Sequence, residues 1–171
     1  MRLIAIRHGE AEWNLQRREM GQLDSALTNK GIAQAHAIAN RLADIPFQAL
    51  YTSDLGRAVK TSEIIGRRCG CAPIVLPGLR ERHMGIFQGL TLDEMRQKFP
   101  REREAYERGG ADFIIPQGEG ARQRLERTVR QMTDLALAHR NDTIVTVTHG
   151  VFLMGFLGHV LGLSAGSGSR F

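Results

Sequence analysis

Apolar positions along this chain alternate between short unbroken runs and stretches at helical spacing, and that alternation predicts an α/β fold. Leu3-Ile4-Ala5-Ile6 is a continuous apolar run, as a strand covered on both faces requires, and sets a strand over residues 2–6. Residues 9–27 show little periodicity and many polar positions, so they read as a loop above the sheet with room for one helical turn. Thr28 offers an N-cap for a helix over 29–43, with Ile32, Ala35, Ile38, Ala39 and Leu42 on one face. Pro46 precedes a second strand, Ala49 to Thr52. Asp54 is placed to cap the next helix, which carries Leu55, Ala58, Val59 and Ile65 on its apolar face and ends near Gly70. Ile74-Val75-Leu76 makes a third strand, closed by Pro77-Gly78.

Residues 79–90 are loop-like. Thr91-Leu92-Asp93-Glu94 has the pattern of a capping box and starts a short helix that stops before Pro100. A second short helix covers 101–108, and Gly109-Gly110 breaks it. Pro116 and Gly118 lead into a long helix over 119–139, with Leu125, Val129, Met132, Leu135 and Ala136 on one face. A strand over 143–148 and a final helix over 151–162 complete the order β-α-β-α-β-(αα)-α-β-α. That order predicts a three-layer α/β/α domain: a mostly parallel central sheet, helices on both faces, and a small helical cap, residues 79–118, over its carboxyl edge. A single domain over 1–171 is expected, with no internal repeat or linker. The tail Ser164 to Phe171 is Gly/Ser-rich, with no strand after the last helix.

Composition narrows the class. With 42% apolar and 24% charged residues, the chain has the balance of an ordinary globular protein. Met1-Arg2 leads directly into strand-like sequence, without a signal peptide, and Val151 to Leu163 falls short of the roughly 18 to 20 residues that span a bilayer. A cytoplasmic location without membrane association follows as the expectation. The net charge is +5, but basic residues interleave with acids, as in Arg101-Glu102-Arg103-Glu104 and from Arg122 to Arg130, so they read as solvated helix faces. No aromatic interleaving or nucleic-acid motif accompanies them, which argues against a nucleic-acid partner. Cys69 and Cys71 are too close in sequence for an ordinary disulfide, and no second pair completes a zinc site. No His, Cys or carboxylate set has metal-ligand spacing, so neither metal nor cofactor is expected.

The chemistry lies where strands end. Arg7-His8-Gly9-Glu10 follows the first strand, and Thr148-His149-Gly150 ends the last, at the carboxyl edge where open α/β sheets bind ligands. Two strands ending in His-Gly predict one pocket with facing imidazoles. Phosphoryl transfer through histidine fits this pair. A phosphate monoester carries nearly two negative charges at neutral pH, and arginine, permanently charged and forked, matches two of its oxygens. Besides Arg7, the strand-to-helix junction Ser53-Asp54-Leu55-Gly56-Arg57 supplies one arginine, and Leu79-Arg80-Glu81-Arg82-His83-Met84-Gly85 supplies carboxyl and basic groups. The nucleophile must be a neutral imidazole, its correct nitrogen turned to phosphorus by a hydrogen bond from the other to a carbonyl around Gly9. Gly9 and Gly150 fit positions where backbone comes close to a ligand.

These four segments, with Gly21 to Thr28 and the following Gly31 and Gln34, resemble the histidine phosphatase superfamily, also called phosphoglycerate mutase-like, over residues 1–163. The resemblance implies that His8 attacks phosphorus and that Arg7, Arg57 and His149 hold the phosphoryl oxygens. It implies that Glu81 protonates the departing oxygen and then helps activate water. Asn14 and the Gly150 N–H would contact phosphate, and Gln22, Arg82 and His83 would line the pocket. Glu10 competes with Glu81 as the acid. Glu119 is either a pocket residue or a charge at a helix N-terminus, and His83 is either a substrate contact or a structural loop residue. Water as acceptor gives a phosphatase; a second substrate hydroxyl gives a cofactor-dependent phosphoglycerate mutase. The short Glu81 to His149 span, Met84 where the mutases carry tyrosine, and the lack of adjacent arginines in the cap resemble the compact bacterial phosphatase branch. Family members usually continue past the final helix into a further strand, and none is expected up to Phe171: either a natural tail follows this sequence or the sheet edge is left open. A small phosphomonoester is the expected partner, with a homodimer as the expected assembly.

Overall fold

The apolar run near the start forms β1 (Arg2–Arg7) and the Thr/Val/Ile run near the end forms β4 (Thr143–Thr148). In the computed structural model, which describes residues 1–109 and 113–163, these two strands pair side by side in parallel. With β2 (Ala49–Thr52) and β3 (Pro73–Val75) they make a sheet in the order β1-β4-β2-β3, parallel at every pairing. Successive residues of β4 point to opposite faces. Val145 and Val147 enter a core with Ile6, Leu42 and Ile65, whereas Ile144 enters a second core with Leu79, Met132 and Phe152.

The helices supply the other half of each core. α2 (Asn29–Leu42) and α3 (Gly56–Cys69) cover the first face; α6 (Ala121–Ala138) and α7 (Gly150–Val160) cover the second. The predicted three-layer α/β/α arrangement is therefore observed. β1 hands the chain to α2 on one face, and its neighbour β4 hands it to α7 on the other. The crevice between their carboxyl ends is thus a topological switch point, the place where such sheets bind ligands.

A one-turn helix, α1 (Glu12–Leu15), lies in the loop after β1. The segment between β3 and α6 carries α4 (Leu92–Lys98) and α5 (Pro100–Arg108) and has its own small core of Met84, Phe87, Met95 and Ile115. Backbone hydrogen bonds from Glu19 to Leu90 and from Gly89 to Glu19 tie it to the loop after β1. The predicted caps at Thr28 and Thr91 are present: Thr28 accepts the Gly31 N–H at 2.9 Å, and Thr91 and Glu94 cap each other.

Asp54 does not cap α3. Its carboxylate turns to the Arg80 guanidinium, and the α3 N-terminus is capped by Asp24 from the loop after β1. A charged partner thus outcompetes a local cap. Gly110 and the tail from Ser164 lie outside the described residues. Among the described residues, no helix is long and apolar enough to cross a membrane.

Candidate active site

His8 and His149 are delivered by adjacent strands. His8 continues the ladder, its N–H donating to Thr148 O at 3.0 Å, and the two ring centroids stand 5.2 Å apart. Both are buried. His8 Nδ1 is 2.7 Å from Gly9 O, and Arg57 Nε donates to His8 Nε2 at 3.2 Å. A carbonyl only accepts and a guanidinium only donates, so the proton is on Nδ1 and the lone pair on Nε2. Burial lowers the His8 pKa from 6.5 to about 4, and the Arg57 and Arg7 charges push it the same way. His149 is held well below its ordinary value, by burial first and then by Arg57 and His8. Both rings are neutral at pH 7.

Arg57 is fully buried and fixed on several sides. Nη2 donates to Gly21 O at 2.8 Å, Nη1 to Leu23 O at 2.7 Å, and Nη1 also meets Asp24 Oδ1 at 3.2 Å. Arg7, at the end of β1, lies close enough to lower the pKa of both histidines, and Gly150 packs beside its guanidinium. The site therefore joins guanidinium charge to two neutral imidazoles. His149 adds a further signature: it has no exposed surface, and neither ring nitrogen has a hydrogen-bond partner. A buried polar group without a partner is costly, so such a ring points to a ligand as its missing partner.

Glu81 sits at the first turn of α7, which begins just after His149. Its Oε1 accepts N–H groups from Arg82 and Phe152 at 2.9 and 3.0 Å, and Oε2 accepts that of Val151 at 2.9 Å. Arg127 holds the same loop from behind through the carbonyls of Gly78, Arg80 and Glu81, while pairing with Glu119 at 2.8 Å. Glu119 is thereby a structural partner. The competing acid Glu10 turns away to Thr28 and Lys30 at the start of α2.

The structure thus brings Arg7, His8, Arg57, His149 and Glu81 together. Asn14 lies in α1, its Oδ1 taken by the Ala11 N–H; Gln22 donates to Glu81 O at 3.0 Å. Arg82 and His83 turn to the cap instead. Arg82 Nε donates to Glu119 O, and His83 Nδ1 accepts the Gly85 N–H, the structural alternative for that histidine. Gly9 also differs from its reading. A Cβ there would lie 2.4 Å from Gly31 O, so the glycine admits α2 rather than a ligand. Sequence reasoning missed Asp24, which sits in an irregular loop and carries no periodic signal. Among the described residues, no His, Cys, Asp or Glu side chains gather as metal ligands.

Comparison with known proteins identifies the family and the fold. The family model for the histidine phosphatase superfamily (branch 1) matches residues 3–171. A relative from Erwinia tasmaniensis, named "Probable phosphoglycerate mutase GpmB", is 37% identical over 171 residues, 99% of this chain and 79% of the relative. The solved alpha-ribazole phosphatase from Shigella flexneri superposes with a TM-score of 0.88 at 26% identity, covering 96% of this chain and 82% of that one. A mycobacterial glucosyl-3-phosphoglycerate phosphatase in complex with VO3 gives 0.85 at 30% identity, covering 96% and 82%.

Proposed function

Because the chain belongs to the histidine phosphatase superfamily, we propose that it hydrolyses phosphate monoesters through a phosphohistidine formed on His8. The observation that carries this reading is the buried, unpartnered His149 beside a His8 whose Nε2 lone pair faces Arg57. In the first step the Nε2 lone pair attacks phosphorus and the P–O ester bond breaks. The departing oxygen takes a proton from Glu81. Oε2 bears one backbone N–H and keeps a lone-pair direction for that proton. In the second step water gives a proton to the Glu81 carboxylate and its oxygen attacks phosphorus. The P–N bond then breaks and returns the lone pair to Nε2. Arg7 and Arg57 neutralise the equatorial oxygens, the main catalytic requirement of such transfers, and neutral His149 donates a ring N–H to one of them. Arg57 exchanges its bond to His8 for a phosphoryl oxygen as substrate enters. Asn14, its NH2 still available, and the Gly150 N–H complete the cradle, with Gln22 positioning the Glu81 loop.

The mutase reading draws on the name of the Erwinia relative and uses the same machinery. The absence of adjacent arginines from residues 82–118 favours hydrolysis. The test is hydrolysis of p-nitrophenyl phosphate in excess chelator, with 3-phosphoglycerate isomerisation assayed alongside. Turnover is expected to need no added metal and to disappear in His8→Ala. In Glu81→Gln it should fall by about 10²- to 10⁴-fold. Turnover surviving in His8→Ala would falsify the mechanism, and isomerisation outpacing phosphate release would replace phosphatase by mutase.

A further inference from the structure

Beyond the phosphoryl pocket, on the cap side of Glu81, lie two buried arginines that make no salt bridge with a described residue. Arg82 and Arg124 are 7% and 8% exposed. The stretch from Arg122 to Arg130 was expected to be a solvated face, but Arg124 projects from the buried side of α6. Its Nη1 donates to Val151 O at 3.1 Å, and its Nε is buried with no partner. Gly155 of α7 makes room for it: a Cβ there would stand 3.0 Å from the guanidinium carbon. Arg82 donates from Nε to Glu119 O, and its guanidinium lies 5.4 Å from the centre of the Tyr106 ring.

Among the described residues, neither guanidinium has a carboxylate within 4.0 Å, whereas neighbouring Arg127 has Glu119. Burial and then the charge of Arg82 work against the charge on Arg124, and the Glu81 and Glu119 carboxylates, both beyond 4.0 Å, offset them in part without reversing the balance. Glu19, another acid of this region, is pushed towards its neutral form by burial and by Glu81, against the weaker opposing pull of Arg82 and Arg103. Buried charges are ordinarily paired, so two neighbouring guanidiniums without a carboxylate call for an anion from outside. Their position says which part of a ligand they would meet. The Arg82 N–H binds Glu81 Oε1, and Arg124 binds the carbonyl of Val151, whose N–H binds Glu81 Oε2. Arg82 therefore holds the Glu81 carboxyl through its own backbone and Arg124 touches a residue that does, and in the proposed mechanism that carboxyl protonates the leaving oxygen.

We propose that Arg82 and Arg124 form a second anion subsite, taking a carboxylate or phosphate carried by the alcohol half of the substrate. This rests on the phosphomonoesterase reading above and narrows its substrate class to esters of anionic alcohols.

The test compares matched substrates. 3-Phosphoglycerate and glycerol 3-phosphate differ in a carboxylate against a hydroxymethyl group. Propane-1,3-diyl bisphosphate and 3-hydroxypropyl phosphate differ in the second phosphate. In the wild-type protein, kcat/KM should favour the anionic member of one pair by about tenfold or more, and the pair that responds identifies the anion. In Arg124→Leu that preference should shrink to within about twofold. Should Arg124→Leu not fold, Arg124→Gln, which keeps a donor for Val151 O, reads the same ratio. Equal rates within both wild-type pairs, or a preference that survives the Arg124 substitutions, overturns the subsite and leaves the hydrolase reading intact. If no ester is hydrolysed and no phosphate is trapped on His8, the hydrolase reading falls and the subsite with it.

Discussion

Arg57 can serve His8 only while its guanidinium is held in one plane, and much of that hold comes from a residue on the far side of the loop. Asp24 meets Nη1 at 3.2 Å and also accepts the N–H groups of Gly56 and Arg57 at the start of α3. One carboxylate therefore does two separable things: it caps a helix and it orients a buried cation. Asp24→Ala should lose both. A charge-assisted hydrogen bond contributes about 1.5 to 3 kcal/mol, and the partial exposure of Asp24 puts the effect near the lower end. A fall in kcat/KM of about tenfold is expected, together with about 1 kcal/mol of stability from the lost cap. Asp24→Asn retains an acceptor for the backbone but not the charge. It should recover most of the melting temperature and little of the rate. Kinetics on an aryl phosphate with a thermal melt of both variants checks this; full recovery of rate in Asp24→Asn would assign Asp24 to the cap alone.

At the scale of elements, the packing of the loop after β1 against α2 depends on two glycines in contact. A Cβ on Gly31 would lie 2.0 Å from Glu10 O, and one on Gly9 would lie 2.4 Å from Gly31 O. The obstructing atoms are backbone, which cannot swing aside. Gly31→Ala should therefore cost about 2 to 3 kcal/mol, the upper range for overpacking, and should displace the loop that carries His8. Gly70 is a useful contrast: it ends α3 at φ +69° with open space around it. Gly70→Ala should cost only about 1 kcal/mol. Urea unfolding of the two variants decides; equal costs would mean that the contact relaxes. These glycines also mark the limit of what the chain's pattern reveals. Val145 and Val147 declare a buried strand by themselves, and Thr28 and Thr91 declare their helix starts, because those signals are local. The close approach of Gly9 to Gly31 joins residues across a loop, and periodicity is silent about it. The same holds for Asp54, which lay in capping position but was claimed by Arg80, and for Arg124, whose inward face depends on how α6 meets α7. His8 and His149 were legible because each ends a recognisable strand. The direction in which Arg82 points was not, since nothing periodic governs an irregular cap loop.

For the molecule as a whole, the site imposes a pH dependence on folding. His8 titrates at about 4 in the folded protein against 6.5 as its ordinary value, and His149 is also lowered. Between these limits the unfolded chain binds more protons than the folded one, so stability rises with pH. Stability is complete above 6.5 and is lost as pH falls towards about 4. At 1.36 kcal/mol per pKa unit, His8 by itself accounts for about 2 kcal/mol between pH 6.5 and 5, and on the order of 3 kcal/mol by pH 4. Glu19 works the other way, because its raised carboxyl pKa favours the folded state at low pH, but it is one group against two. Carboxylates held low by partners, such as Asp54 with Arg80, enter only below their ordinary values near 4. The histidines therefore dominate the window from 6.5 to 4.5. For a chain of this length, about 2 kcal/mol corresponds to about 4 to 8 °C in Tm. The melting temperature should drop by at least that much from pH 7 to pH 5. In His8→Gln, where only His149 remains to be charged, the drop should shrink. Parallel melts across this range test the linkage, and the same slope in both proteins would place the acid sensitivity outside the pair of imidazoles.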